Sequence, residues 1–368
     1  MTTRLRRGAS LLLAASALWA VAAAAPLNSL DEAARGVGNG RLALALLRFE
    51  RGDFLSELSL PAALALNVAP LLLVSRPEAD DAPEAEPVAE EPSETPAEPE
   101  PSEPPPLAAR DNGVPSTTLR PSDAAGYLVS GRVYVHNTSS AALTQSDLQA
   151  DFAAKLTEDA PQVLIVHTHG CEAYTMPAGE EYEASDDHRT LDERYNVVRV
   201  GDEIARVLED AGIGVVHDRT LHDYPNYSGA YNRSLAAIEA ARKEHPSLVY
   251  ILDVHRDAVS DAEGRQYKLL CAEEPNAAQL EFVVGSDGGG LNHPRWRDNL
   301  CLACAVQETL LNDYPTLLRP IIVRNSRYNQ QVSVGSLLLE VGTAGNSLDE
   351  ALNAARLFAK GFAETIKG

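Results

Sequence analysis

Two imidazoles and a carboxylate, His167, His169 and Glu172, stand close together in the stretch Pro161–Tyr174, PQVLIVHTHGCEAY. Just before them, Val163-Leu164-Ile165-Val166 has the length and β-branched content of a buried parallel strand. Ligands of open α/β sheets sit at the carboxyl ends of strands, so this is a position where a metal site would be built. An isolated HxH equally fits one histidine capping the strand and another in solvent. Two other strand ends decide between these readings. LVYILDV runs into His255-Arg256-Asp257, and the apolar LLLEVG places Glu340 inside a strand. A buried carboxylate is costly unless it is paired or coordinating. Two histidines and a carboxylate, with one position left for water, form the usual ligand set of a catalytic zinc. A further carboxylate off the metal can take the proton from that water. The third ligand is expected from the loop or helix after the first strand, where Glu172 and Asp192 both qualify.

The elements that must position these residues alternate in type. Val133–His136, Val163–Val166, Gly214–His217, Leu248–Val254, Ile321–Val323 and Leu337–Val341 read as strands, with shorter ones at Tyr267–Cys271 and Glu281–Val284. Asn196–Asp210 carries Val197, Val200, Ile204, Val207 and Leu208 on one helical face. Helices are also predicted in SDLQADFAAKL, over Asn232–Arg242 and over Arg295–Leu311. A last helix starts at the capping box Ser347-Leu348-Asp349-Glu350 and runs through Ile366. The fold class is therefore α/β, with a mostly parallel central sheet flanked by helices.

Charge is uneven along the chain. The net charge is -22, which argues against nucleic acid as a partner. No base lies between Arg76 and Arg110, and Glu78–Glu103 holds eleven acids, so much of the excess belongs to a Pro/Glu/Ala tract. That tract has too little apolar surface to offset chain entropy. Residues 77–115 are expected to form a disordered acidic linker ahead of a domain at 116–368. Arg4, Arg6 and Arg7 precede an uncharged run from Gly8 to Ser29, the pattern of an export signal that is also long enough to span a bilayer. Residues 1–30 are thus a signal or membrane anchor, with the remainder outside the cytoplasm. Residues 31–76 form a juxtamembrane segment. Of the four cysteines, Cys301 and Cys304 lie in an apolar-periodic stretch and read as buried helix residues, since no second CxxC accompanies them. Cys171 sits between His169 and Glu172 but ranks below both as a ligand.

HTHGCEAY, HDRTLHDYPNYSGAYNRSL, LDVHRDA, HPRWRDNL and RNSRYNQQVSVGSLLLEVG follow one another in an order that resembles stage II sporulation protein P. The resemblance runs from about Gly131 to the end. It implies a fold similar to zinc-dependent N-acetylmuramoyl-L-alanine amidases and carboxypeptidases. It also implies Zn2+ as cofactor, peptidoglycan as substrate, a role in septal thinning and engulfment, and stage II sporulation proteins D and M as partners. By this resemblance His169 and His255 are the metal histidines, with His167 as the substitute for His169. Glu340 is the catalytic carboxylate. Arg256 and Asp257 have no strict counterpart in the amidases and read as residues supporting the ligands or as substrate contacts, with Arg256 a candidate oxyanion stabiliser. Asp192 lies where the amidases place their metal glutamate, four residues before Asn196. Glu172 instead gives the His-x-x-Glu pair of related carboxypeptidases. Arg324, Arg327 and Asn329 are candidate contacts for stem peptide or muramyl groups. His217 and His222 read equally as packed histidines, and His188, His245 and His293 as surface residues. A zinc carboxypeptidase and a wall-binding scaffold without turnover are the competing functions.

Overall fold

A computed structural model describes residues 107–368. Ten strands and four α-helices follow in chain order: β1 (Ser116–Thr117), β2 (Leu128–Ser130), β3 (Val133–Asn137), β4 (Val163–Val166), α1 (Val197–Asp210), β5 (Val215–His217), α2 (Ala230–Glu244), β6 (Tyr250–Asp257), β7 (Lys268–Leu269), β8 (Leu280–Gly285), α3 (Trp296–Leu310), β9 (Ile321–Arg324), β10 (Gly335–Thr343) and α4 (Leu348–Lys367). The main sheet has the order β2-β3-β9-β8-β10-β6-β4-β5, and β1 pairs with β7 in a small separate sheet. As the alternation of elements predicts, the pairing is mostly parallel. The exceptions are β2 with β3 at one edge and β8 with β10 in the middle.

Period-2 alternation sorts each strand between the two faces of the sheet. Val163, Ile165, Tyr250, Leu252, Val254, Phe282, Leu337 and Leu339 turn to a large core shared with α1, α3 and α4. Leu164, Val166 and Ile251 turn the other way, to a small cluster with Ile238 of α2. The second face is covered mainly by that one helix, and here the polar residues of β6 and β10 emerge. Helix ends follow their sequence signals. Asn196 caps α1 by accepting from the Val198 N–H, and Ser347 with Glu350 closes the box at α4.

Three expectations change. SDLQADFAAKL forms only a 3-10 turn over Gln145–Leu148 and is otherwise not helical. Its apolar side chains Phe152, Ala154 and Leu156 recur every second residue and lie against the main core, which is the period of extended chain. Residues 107–115, expected in the linker, lie on the domain. Leu107 packs against the core and exchanges backbone hydrogen bonds with the Asn353 amide at 2.9 and 2.8 Å, and Asn112 Nδ2 donates to the Gly345 carbonyl at 2.9 Å. Leu107 is the first large apolar residue after the acidic tract, which is why the attachment starts there. Strand β6 also continues through His255-Arg256-Asp257 rather than ending before them. The expected anchor, juxtamembrane segment and remaining linker lie outside the described residues.

The end of β10 is irregular. Its register against β6 slips between Glu340 and Thr343, and Gly342 has φ +66°. A Cβ at Gly342 would lie 2.9 Å from the Ala278 Cβ and 3.0 Å from Asn346 Oδ1. Gly342→Ala combines a left-handed conformation with this clash, so a loss of about 2 kcal/mol in urea-unfolding stability is expected. A neutral effect would mean that the bulge relaxes freely.

Candidate metal centre

The in-register pairing of β6, β10 and β8 sets His255, Glu340 and Glu281 side by side across three strands, on the face that α2 covers only in part. His169 and Glu172 arrive from the turn after β4, the neighbour of β6. His169, Glu172 and His255 converge, with one potential ligand atom of each within 4.8 Å of the others. Glu172 Oε1 lies 3.6 Å from His169 Nδ1, and Oε2 lies 3.4 Å from His255 Nδ1. Both distances exceed ordinary N–H···O hydrogen bonds. Ligand atoms held at ~2.1 Å around a tetrahedral ion are separated by about 3.4 Å, so the donor set and its spacing fit zinc. The exposure of the three side chains, 11 % for His169, 8 % for Glu172 and 4 % for His255, leaves His169 on the accessible side.

The surrounding groups hold this arrangement. Asp253, two residues before His255 on the same strand face, places Oδ1 2.9 Å from His255 Nε2. Its two oxygens also accept from the Thr168 N–H at 2.8 Å and hydroxyl at 2.7 Å. A carboxylate behind a metal histidine orients the ring and raises its basicity. Burial works against a charged His255, yet Asp253 and then Glu172 hold its pKa well above the usual value. Burial alone would raise Glu172, but the Arg256 charge and the two imidazoles keep it ionised, well below the usual carboxylate range.

Glu340 is different in kind. It is half-buried, and its Oε2 is shielded from solvent without a hydrogen-bond partner. Burial, then the charges of Asp257, Glu172 and Glu281, push it up to about 8 against the pull of His255. It is a proton-holding group beside the cluster, the property required of a general acid–base. Arg319 Nη2 compensates nearby charge, bonding Asp257 at 2.8 Å and standing 3.4 Å from Glu281.

A model of the Stage II sporulation protein P family matches residues 76–363. The chain belongs to this family. The Stage II sporulation protein P of Bacillus subtilis (strain 168) is 29% identical over 240 residues, covering 60% of this chain and 55% of that protein. The chain thus spans about half the length of the curated relative it matches. Among solved structures, the CwlD amidase from Clostridioides difficile in complex with the GerS lipoprotein matches with 13% identity and a TM-score of 0.35, over 56% of this chain and 98% of that one. N-acetylmuramoyl-L-alanine amidase AmiC2 of Nostoc punctiforme matches with 15% identity and a TM-score of 0.32, over 56% and 96%.

Against the site expected from sequence in this family member, His169, His255, Glu172 and Glu340 come together. Asp192 does not. It binds Arg194 two residues on, through Nε at 2.9 Å and Nη2 at 2.6 Å, and is not in the cluster. The amidase-like spacing before Asn196 places this shorter side chain in a turn. Arg256 takes the supporting place and not that of a substrate contact or oxyanion stabiliser. Its guanidinium donates to the backbone carbonyls of Ala173 at 3.1 Å and His188 at 3.0 Å, so it clamps the loop after β4 instead of facing the reacting groups. His167 is no substitute ligand. It lies in a buried pair, with Nδ1 2.9 Å from the Val254 carbonyl and Nε2 2.8 Å from His217 Nε2. Burial and the His217 ring push it down to about 3. The amide N–H of Cys171 donates to Asp223, and burial pushes its thiol up, away from ligand chemistry. His293 is buried rather than at the surface, with Nε2 3.1 Å from Asn299 Oδ1.

Sequence reasoning overlooked Asp253, Glu281 and Arg319. Only Asp253 had a signal, the Asp-x-His spacing that puts both residues on one strand face. In calorimetric zinc titrations, Glu172→Gln should weaken affinity more than about 100-fold, beyond the loss usual for an outer group. Asp192→Asn should leave it unchanged, and the reverse pattern would restore Asp192 as the ligand. Burial pushes Glu281 up to about 7 from an ordinary 4.5 against the Arg319 charge, with Asp257 adding to the rise. The folded state therefore favours its protonated form, and the penalty is absent below pH 4.5 and complete above pH 7. Glu281→Gln should stabilise chelator-treated protein by about 2 kcal/mol in the alkaline range, with no gain in the acid range. Urea unfolding under both conditions measures this, and an equal effect in both would contradict it.

Proposed function

We propose that this family member is a zinc-dependent peptidoglycan hydrolase of the N-acetylmuramoyl-L-alanine amidase type. It would cleave the amide between glycan and stem peptide, and also peptide cross-links, during endospore formation. The observation that carries the reading is the His169–Glu172–His255 cluster beside Glu340, a carboxyl group held protonatable within a family of sporulation proteins. The amidase names of the two solved structures are consistent with it.

In this reading His169, Glu172 and His255 hold the ion. Bound there, zinc would polarise a water molecule and the scissile carbonyl. Glu340 takes the proton of the attacking water and returns it to the departing amine, so that the amine leaves neutral. Asp253 keeps the His255 ring turned toward Glu172. Arg256 fixes the backbone on both sides of the loop above the site. Thr168 joins Asp253 to Ser234 of α2 at 2.7 Å, so the helix covering this face also braces the metal strand.

The proposed setting follows the sequence. Residues 1–30 anchor the chain or export it, the catalytic domain faces the wall, and stage II sporulation proteins D and M are the proposed partners.

The test is digestion of purified sacculi by the zinc-loaded protein, with soluble products identified by mass spectrometry. Stem peptides with a free L-alanine amino end are expected, together with glycan strands stripped of peptide. Shortened peptides still attached to glycan would indicate a carboxypeptidase. Binding without release would indicate a scaffold. Glu340→Gln should keep its zinc while the rate falls at least ~100-fold. Near-normal turnover by this variant would remove Glu340 from the mechanism.

A further inference from the structure

Glu172 and Glu340 belong to segments that meet just beyond them. Three residues after Glu172, the Thr175 N–H donates to the carbonyls of Ala344 at 3.1 Å and Asn346 at 3.0 Å. The Thr175 hydroxyl donates to the Ala344 carbonyl at 2.7 Å. One residue earlier, Tyr174 Oη donates to the Val341 carbonyl at 3.0 Å. The chain after Glu172 is thus laid along the chain after Glu340. The spacing of the two carboxyl groups follows from how firmly these stretches are held together.

A side chain from the N-terminal edge of the domain closes this seam. Asn112 Nδ2 donates to the Gly345 carbonyl at 2.9 Å and to the Thr175 carbonyl at 3.3 Å, one N–H to each segment. Its Oδ1 accepts from the Val114 N–H at 3.2 Å and from Lys268 Nζ at 3.4 Å. A side-chain amide offers two donor hydrogens and two acceptor lone pairs, so this one is fully engaged and its orientation is fixed. Gly345 cannot retreat from it. A Cβ there would stand 2.7 Å from the carbonyl carbon and oxygen of Tyr267, so its backbone already lies against the chain entering β7. The strap that carries Asn112 is fastened on both sides of it. Leu107 is held by Asn353, and the carbonyls of Pro115 and Thr117 accept from the N–H groups of Lys268 and Leu270 at 3.0 Å each. Leu119 exchanges hydrogen bonds with the Gln279 amide at 2.7 and 3.0 Å. Arg110 also bridges, to Glu180 at 2.5 Å and Asp349 at 2.9 Å, but on the exposed surface, where ion pairs contribute little.

We propose that Asn112 is a positioning residue of the hydrolase: by tying the Thr175 and Gly345 carbonyls together it fixes the separation of Glu172 and Glu340. The inference rests on the hydrolase reading above. Asn112 acts through the two backbone segments, and the proton transfer itself belongs to Glu340. A displacement of about 1 Å between reacting groups costs up to about 100-fold in rate even when substrate binding is intact. Lifting residues 107–115 from the domain would free both carbonyls at once. The chain that enters at Leu107 is therefore coupled to the site through one amide.

Two full-length variants that loosen the same strap separate positioning from general stability. Asn112→Ala removes the clamp, whereas Asn353→Ala removes the hydrogen bonds to Leu107 and leaves the clamp in place. On sacculus digestion kcat of Asn112→Ala should fall about 10- to 100-fold with KM within a few-fold, while kcat of Asn353→Ala stays within about twofold of wild type. Asn112→Asp keeps the shape of the side chain and loses both donors, so its kcat should fall as far as that of the alanine variant. A readout independent of turnover is backbone hydrogen exchange of the metal-free protein, followed by mass spectrometry. Peptides containing Thr175 and Ala344–Asn346 should exchange faster in Asn112→Ala and Asn112→Asp than in wild type or Asn353→Ala, because the two stretches part more often. The proposal is overturned if both Asn112 variants keep the wild-type kcat, if Asn353→Ala loses as much rate as they do, or if exchange in the two stretches is unchanged. A wild-type protein that binds zinc and releases nothing from sacculi would defeat the hydrolase reading instead, and the exchange comparison would still report whether Asn112 holds the two segments.

Discussion

A negative charge buried between two imidazoles is the constraint on which this domain depends. Glu172 has little contact with water, and an ionised carboxylate in that position is tenable only if cations and donors surround it. They come from separate parts of the chain. His169 stands three residues earlier, His255 and the Arg256 N–H come from β6, and Arg189 comes from the far side of the loop. Two of these are in turn held by other groups: His255 by Asp253, which Thr168 holds, and Arg189 by Asp223. The order in which strands pair matters because it brings these donors to one carboxylate. A cation bound among the imidazoles would complete the compensation that the protein groups begin.

Glu340 shows the opposite solution to the same problem. It is not surrounded by cations, and its neighbours Asp257, Glu172 and Glu281 are acids. A carboxyl group in that setting relieves its cost by taking up a proton. Two carboxyl groups a short distance apart are thus driven to different states, Glu172 toward charge and Glu340 toward neutrality. Such divergence is what a ligand and a proton carrier sharing one site would require. Arg319 limits the effect, because it faces Asp257 and Glu281 and weakens the field of both.

The parts of this site that follow from local pattern were legible in the sequence. β4 and β6 announce themselves as apolar runs, and the histidines after and within them mark the candidate metal centre. Glu340 stood out because LLLEV offers no bland reason for a carboxylate. The parts that depend on pairing direction were not legible. A wholly parallel sheet would have carried the start of β8 to the opposite end of the sheet, whereas the antiparallel contact with β10 brings Glu281 opposite Glu340. Arg319, just ahead of β9, arrives at the same end because β9 runs parallel to β8. SDLQADFAAKL misled because its alternating apolar residues lie in extended chain, while its composition suits a helix.

The reversed seam between β8 and β10 divides the site by strand direction. Residues of the candidate metal cluster follow or finish strands running one way, β4 and β6. Those that set the acidity of Glu340 include residues beginning strands that run the other way, Glu281 at the start of β8 and Arg319 ahead of β9. The two groups overlap, because Asp257 at the end of β6 and Glu172 after β4 also raise Glu340. The acidity of Glu340 is thus tuned from both strand directions of the sheet at once.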